Sequence, residues 1–521
     1  MGAKTISRLL DAVRAACGPL STAGLDHPDS EVAAIRVDSR SVGSGDVLVA
    51  TAPDADARRR HALDGVRRGA IAVVTPAHDP WLAIPQVRVG DPRRAAAAAA
   101  AWLHDYPSRE MLVVGVTGTD GKSTTCSRIA GVLEAAGRPA GYTTTVTTLV
   151  GGSVAPGGSR MTTPDAPDVQ RLLAMMRDSG DRAAVLEASS HGLAQDRLAF
   201  VAFDVAVLTN IGHEHLDYHG TLAAYRGAKR RLFEALQVTD SNPEKGTGKW
   251  AVVNAHDRYA PGFAAAAAAA GGRVVSYGID RAADVRASRL VGNERGTTFL
   301  ASTDRWQRDI EISLPWRFNV QNALAALATA YALGVDPNIA AAALRHARPV
   351  AGRTAWIGGS QPFQVMIDYA HTPEALEAVL RQLSAIARRR GGGVICMFGS
   401  AGDRDVAKRP KMGRIAARWC RLAVLTEEDP RSESAEAIAA QIAAGATSAG
   451  MRLGVDVRVE PDRTAAIRLA LESARPGDVV LLAGKGHERT IERASAAVSW
   501  DEAAAVGRAL RALGFVVAEP G

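Results

Sequence analysis

Short apolar runs, bounded by Gly, Pro or charged residues, recur along the chain and alternate with stretches of helical character. Between residues 32 and 89, runs at 47–50, 70–74 and 86–89 predict strands, and the alanine-rich stretch 93–104 predicts a helix, so this segment reads as a small α/β unit. Residues 105–110 carry the Pro and polar residues of a linker, and 111–116 predicts a buried strand, which places a first boundary there. Farther on, runs at 183–186, 205–208 and 251–253 alternate with helical patterns, as a largely parallel sheet requires, and a helix over 321–333 belongs to that region. A Pro/Gly turn at 348–353 marks a second boundary. Beyond it, strands at 365–367, 394–398, 422–425 and 479–482 alternate with helices at 374–389, 411–417, 435–444 and 464–473, the pattern of a doubly wound α/β domain. The expectation is an α/β protein of three domains, 1–108, 109–347 and 348–521, since 521 residues exceed what one core supports.

Composition changes this picture little. Hydrophobic residues make up 47% and charged residues 22%, which argues against long disorder. Lys and Arg outnumber Asp and Glu by 62 to 55, an excess too small at this length to point to nucleic acid, though it suits anionic small substrates. The four cysteines, Cys17, Cys126, Cys396 and Cys420, have neither disulfide-framework nor metal-ligand spacing, as expected of a reducing cytoplasm. The amphipathic start MGAKTISRLLDAVRAA is no signal peptide, and no apolar run is long enough to span a bilayer, so a soluble protein without membrane insertion is expected.

The chemistry begins where the strand at 111–116 runs into Thr117-Gly118-Thr119-Asp120-Gly121-Lys122-Ser123 and a helix starts at Thr124. Strand, glycine loop and helix form a phosphate cradle: backbone N–H groups close around phosphate oxygens, Lys122 reaches the outer phosphates, and Ser123 can ligate Mg2+. A strict Walker loop would have Gly at position 116, where this chain has Val. Glu187 follows the strand at 183–186, where a carboxylate beside a phosphate loop can hold Mg2+. His213, His215 and His219 leave zinc open as an alternative, and Lys229, in the basic stretch Lys229-Arg230-Arg231, reads from composition alone as a surface lysine.

The loop TGTDGKST, residues 117–124, resembles that of the Mur ligase superfamily, which also includes folylpolyglutamate synthase and cyanophycin synthetase, and Tyr225 to Phe233 is similar to the family's Y-x-x-A-K-x-x-L-F. The resemblance implies that His215 ligates a second Mg2+ and that Lys229 is carbamylated by CO2, its carbamate helping to position that ion. It further implies a reaction in which a substrate carboxylate attacks the γ-phosphate of ATP, giving ADP and an acyl phosphate that an amine then opens.

Further motifs resemble the MurE type within that family: Asp38-Ser39-Arg40-Ser41-Val42, Met161-Thr162-Thr163-Pro164, Asp368-Tyr369-Ala370-His371-Thr372-Pro373, Gly402-Asp403-Arg404-Asp405 with Lys408-Arg409-Pro410, and Gly484-Lys485-Gly486-His487-Glu488. This closer resemblance implies a uridine-nucleotide domain, a central P-loop ATPase domain and a C-terminal Rossmann-like domain that binds an amino acid. It assigns Gly118, Thr119, Asp120, Gly121, Lys122, Ser123, Thr124, Asn322, Arg353, Asp368, His371 and Lys408 to ATP. Ser39, Arg40, Thr162, Thr163, Ser189, Gln195 and Arg197 go to the UDP-N-acetylmuramoyl-dipeptide, and Arg404, Glu428, Asp429, Arg431, Gly484 and Glu488 to the amino acid, in an enzyme acting as a monomer. Two departures stand out. Residues 56–61 replace the family's aspartate-glycine-histidine turn, and Asp429 stands where diaminopimelate enzymes have asparagine. Arg431 favours the distal carboxylate of meso-diaminopimelate, whereas Asp429 would repel it and favour L-lysine or L-ornithine unless Arg431 pairs with it. The balance of these contacts favours meso-diaminopimelate. Two alternatives remain: a paralogue ligating another peptide or natural-product carboxylate, and a nucleotide-binding regulatory protein without ligase activity.

Overall fold

A computed structural model describes residues 3–155, 161–212, 214–237, 245–293 and 296–517. The first sheet has the strand order Ser21–Ala23, Gln86–Arg88, Ala72–Thr75, Val47–Val49, Ile35–Arg36, parallel except at the Ser21–Ala23 edge. Val47, Val49, Val74 and Val87 pack against Ile6, Leu9 and Val13 of helix Ile6–Cys17 and against Ala95, Ala96, Ala99 and Ala100 of helix Pro92–Leu103. The other alanines of that tract are buried too, because the helix lies on helix Ala166–Asp178 of the central sheet as well as on its own. Only methyl-sized side chains allow both approaches.

Eleven strands form the central sheet. Its parallel part runs Val285–Gly292, Arg273–Ile279, Trp250–Asn254, Val205–Leu208, Leu112–Thr117, Ala183–Glu187, Ala140–Thr143. Antiparallel pairs extend both edges, Thr297–Ser302 with Gln307–Ile312 on one and Thr148–Val150 with Ser153–Val154 on the other. The phosphate-loop strand Leu112–Thr117 sits inside this sheet, between Ala183–Glu187 and Val205–Leu208, so three strand ends open on one crevice.

The third sheet runs Ala355–Ile357, Gln364–Asp368, Val479–Ala483, Val394–Phe398, Leu422–Leu425, Val457–Val459, parallel except at the first pair. Helices Pro373–Arg389, Lys408–Trp419 and Ala435–Ser448 cover one face, and Arg463–Glu472 and Glu502–Ala512 the other, so this sheet is doubly wound. Among the described residues no helix is long and apolar enough to cross a membrane.

Three expectations need correction. The helix expected at 321–333 spans Arg317–Ala332, its start hidden in the sequence because Arg317, Phe318 and Asn319 precede the alanine-rich pattern. The helix expected to stop at 444 runs on through Gly445 to Ser448. Gly445 is not a terminator there but a crossing point: a Cβ at Gly445 would meet the Pro410 carbonyl oxygen at 2.1 Å, and one at Gly413 would meet Ile442 O at 2.0 Å. Residues 56–61, expected to form an altered turn, lie in helix Ala55–Arg67, whose first turn is capped by the Asp54 carboxylate accepting from Ala57 N at 2.7 Å.

Candidate active site

The phosphate loop is held from beneath by the end of strand Val205–Leu208. Thr119 N donates to Asn210 O at 2.7 Å, Asp120 N to Asn210 Oδ1 at 3.0 Å, and Thr209 Oγ1 to Asp120 O at 2.7 Å. Gly118, at φ +148°, lies so close to this strand that a Cβ would overlap Thr209 Oγ1 at 1.8 Å, and Gly121, at φ +81°, opens helix Lys122–Ala135 with Asn322 Oδ1 where a side chain would stand. Asn322 is thus placed under the loop, buried with Thr124. Lys122 Nζ lies back over the loop, donating to Thr119 O at 2.7 Å.

Ser123 Oγ donates to Glu187 Oε2 at 2.8 Å, and Thr145 N donates to the same oxygen at 3.0 Å. Lys229 corrects its composition-based reading. It is 1% exposed, because helix Leu222–Glu234 turns Tyr225, Lys229 and Phe233 inward, and its Nζ donates to Gly118 O. Burial, with Lys122 nearby, holds its pKa well below the ordinary lysine value. Burial likewise lowers His215 to about 4, although Glu214 pulls the other way, so its imidazole is neutral and can offer a lone pair.

These groups suit a hard cation: a hydroxyl, a carboxylate and a neutral imidazole face a cavity of about 120 Å3 at the phosphate loop, leaving phosphate and water oxygens to complete a shell. Of the histidines that left zinc open, the ring of His215 meets His191 edge-on at 4.6 Å and that of His219 lies tilted against His191 at 5.5 Å, and among the described residues no three His, Cys, Asp or Glu side chains converge as a metal cluster. His213 lies outside the described residues.

A second cavity, about 370 Å3, adjoins the first, and Thr162, Ser189, Glu214, His215, Tyr369 and His371 line both. Thr163 Oγ1 donates to Glu187 O at 2.7 Å and accepts from Ser189 N at 2.9 Å; Arg197 donates to Gln195 Oε1 at 2.7 Å and to Thr163 O at 2.8 Å. Ser39 and Arg40 are not brought into either cavity: they lie in the short helical turn Ser39–Ser41 of the first sheet's unit, where Arg40 forks onto Asp38 at 2.9 and 2.7 Å. From the third sheet, Lys408 donates to His371 O at 2.9 Å, Arg353 stacks on the Tyr369 ring at 4.4 Å, and Asp368 accepts from Thr354 N and Ala370 N, shaping the turn rather than lining a cavity.

At the far end of the larger cavity stand Arg404, Glu428, Asp429, Arg431 and Glu488. Gly484 packs against Glu428, a Cβ there falling 2.9 Å from Oε2, an oxygen that is buried without a partner. The pairing of Arg431 with Asp429 does not occur. Arg431, at φ +53°, turns its chain toward the hairpin Thr490–Glu492 and Ala497–Ser499 and donates to Glu492 Oε2 at 3.3 Å and Gly402 O at 3.2 Å. Asp429 instead accepts from Lys485 Nζ at 2.7 Å and Glu492 N at 2.8 Å.

Two residues to which the sequence alone gives no role matter here. Glu214 lies between His215 and His371, 3.5 and 3.4 Å away, joining the central and C-terminal units. Burial works against its charge, but His215, His371 and Lys122 hold its carboxyl well below the usual range. Its signal is a carboxylate flanked by histidines after a parallel strand. The other is Lys485, signalled by the glycines on either side.

Known proteins align with this chain along the same lines. Residues 116–330 match the Mur ligase middle domain, and residues 352–486 match the Mur ligase, glutamate ligase domain. A UDP-N-acetylmuramyl-tripeptide synthetase from Roseiflexus sp. (strain RS-1) is 43% identical over 513 residues, 98% of this chain and 99% of that protein. The UDP-N-acetylmuramoyl-L-alanyl-D-glutamate--2,6-diaminopimelate ligase of Chromobacterium violaceum is 40% identical over 461 residues, 87% of this chain and 89% of that one. A solved structure of a ligase of the same description superposes with a TM-score of 0.64 at 28% identity, covering 98% of this chain and 100% of that one.

Proposed function

The chain belongs to the MurE type of the Mur ligase family, ATP-dependent enzymes that form an amide and release ADP, and from that premise we propose that it adds a diamino acid to UDP-N-acetylmuramoyl-L-alanyl-D-glutamate through an acyl phosphate. The observation that carries this reading is the wall shared by the two cavities: an acyl phosphate formed at the phosphate loop is within the same enclosure as the residues that would present the amine.

In this reading the loop N–H groups and Lys122 hold the ATP phosphates, while Thr162, Thr163, Ser189 and Arg197 orient the peptide carboxylate toward the γ-phosphate. Ser123, Glu187 and His215 would hold Mg2+, which neutralises phosphate charge when bound. Lys229, its charge disfavoured by burial, is the amine that CO2 would carbamylate, turning a nitrogen base into an anionic oxygen donor on the same side of the site. The protein supplies positioning and charge rather than a covalent nucleophile. We place the reaction in the cytoplasm, catalysed by a monomer, as a step of peptidoglycan precursor synthesis.

For the amine we favour meso-diaminopimelate. Lys485 pairs with Asp429, which weakens the objection that its carboxylate repels a dicarboxylic substrate, and Arg404 with Arg431 offers guanidinium groups to the distal carboxylate. The test is phosphate release and product mass with ATP, the UDP-muramoyl-dipeptide and a panel of meso-diaminopimelate, L-lysine and L-ornithine. Dependence on all three components supports the reading. ATP turnover that ignores the nucleotide-sugar peptide would overturn it, and a stronger response to lysine or ornithine would overturn the choice of amine.

A further inference from the structure

Lys485 lies behind the far end of the amino-acid cavity. Its side chain is 1% exposed and does not line the cavity, yet Nζ is 2.7 Å from Asp429 Oδ1 and 2.5 Å from Glu488 Oε2, two carboxylates that do. Gly484 at φ +99° and Gly486 at φ +48° fold the loop so that this lysine points inward, and Gly486 is pressed against Gly352 O, 2.8 Å from where its Cβ would stand. Glu488 is fixed from its other side by Tyr369, whose hydroxyl donates to Oε1 at 3.0 Å.

Resting on the ligase reading above, we propose that Lys485 is a positioning residue that sets the charge of this wall and thereby the choice between diamino acids carrying one and two carboxylates. Asp429, Glu488 and Lys485 together carry one net negative charge, and Glu428, whose Oε2 is buried without a partner, adjoins them. A substrate that brings a second carboxylate to this end meets Arg404 and Arg431 against that background, so each unit of wall charge weighs directly on the discrimination. Burial opposes the ammonium charge, but Glu488 and Asp429 raise its pKa above the ordinary lysine value, so the charge is present throughout the working pH range.

A purely structural role and this electrostatic one make different demands on variants. Lys485→Met removes the cation and deepens the local charge to two negatives; Lys485→Met combined with Asp429→Asn restores the wild-type charge; Asp429→Asn alone makes the trio neutral. The ratio of kcat/KM for L-lysine to that for meso-diaminopimelate, measured at pH 8.5 to keep the carboxylates ionised, is expected to fall in the order of negative charge. The single Lys485→Met variant stands highest, by roughly fivefold over the wild type. Wild type and the double variant lie together, and Asp429→Asn is lowest. If Lys485→Met does not fold, the double variant and Asp429→Asn still test the order. A ratio that does not follow charge, with both amino acids losing activity alike, would overturn the proposal. Wild-type protein that ligates neither amino acid would instead overturn the ligase reading itself, which separates the two failures.

Discussion

Lys229 Nζ lies 2.5 Å from the carbonyl oxygen of Gly118, so the helix that carries the lysine is tied to the turn of the phosphate loop that its side chain serves. Burial disfavours the charge of this amine, against the pull of Glu214, Asp120 and Glu187, and so favours the unprotonated form that reacts with CO2. Lys229→Ala is therefore expected to abolish ligation, with partial recovery when bicarbonate or a short carboxylic acid supplies the missing oxygens. Lys229→Arg should be as inactive as the alanine variant, since a guanidinium stays charged and forms no carbamate. An active arginine variant in the phosphate-release assay would refute the role.

Lys122→Ala should lower kcat/KM by roughly two orders of magnitude or more, the scale associated with deleting a preorganised charge at a reacting phosphate. The loop itself keeps its form in this variant, because Thr119 and Asp120 are held by Asn210 rather than by the lysine. Near-normal turnover would remove the loop from the mechanism.

Arg409 is fully buried and forks onto Glu433 at 2.8 and 2.9 Å. That hydrogen bonding, helped by Asp403 N–H, lowers the Glu433 carboxyl to about 2. A depressed acid contributes its stability above its unfolded pKa, and loses it as pH falls through the folded value. Glu433→Gln should therefore cost about 2 kcal/mol near neutrality by leaving a buried guanidinium uncompensated. The gap between wild type and variant should shrink as pH falls from the ordinary carboxylate pKa of 4.5 toward about 2. Thermal melts across that range check it; a gap that stays constant down to pH 3 would rule it out.

Gly445→Ala should destabilise by about 3 kcal/mol, since the added methyl meets backbone on the facing helix rather than a side chain that can turn aside. Denaturant unfolding of the variant measures this, and a loss below about 0.5 kcal/mol would mean that the two helices part without strain.

How much of the fold and site is open to inspection in the sequence depends on how local the signal is. The α/β class and the strand–loop–helix at the phosphate site are legible because an apolar run ends in two glycines and a lysine within a few residues. The sheet edge beyond Arg273–Ile279 is not: Val285–Gly292 and Gln307–Ile312 mix buried and exposed positions with charged residues, so no continuous apolar run announces them. Lys229 looks solvated beside Arg230 and Arg231, and only the packing of Tyr225 and Phe233 turns it inward. The partner of Asp429 is 56 residues away, beyond the reach of any motif spacing.

The alanine helix Pro92–Leu103 has a mechanical consequence. With methyl groups seated against neighbours on both flanks, it acts as a shim that locks the first unit to the second, and a shim of this kind permits no rotation without opening voids. The joint between the second unit and the third is built differently: Trp316 and Phe318 of the second unit pack into the core of the third, while Glu214 meets His371 and Arg128 reaches the Arg348 carbonyl. One seam is thus sealed by methyl groups, and the other, which borders the candidate active site, by a wedge of aromatic rings flanked by charge.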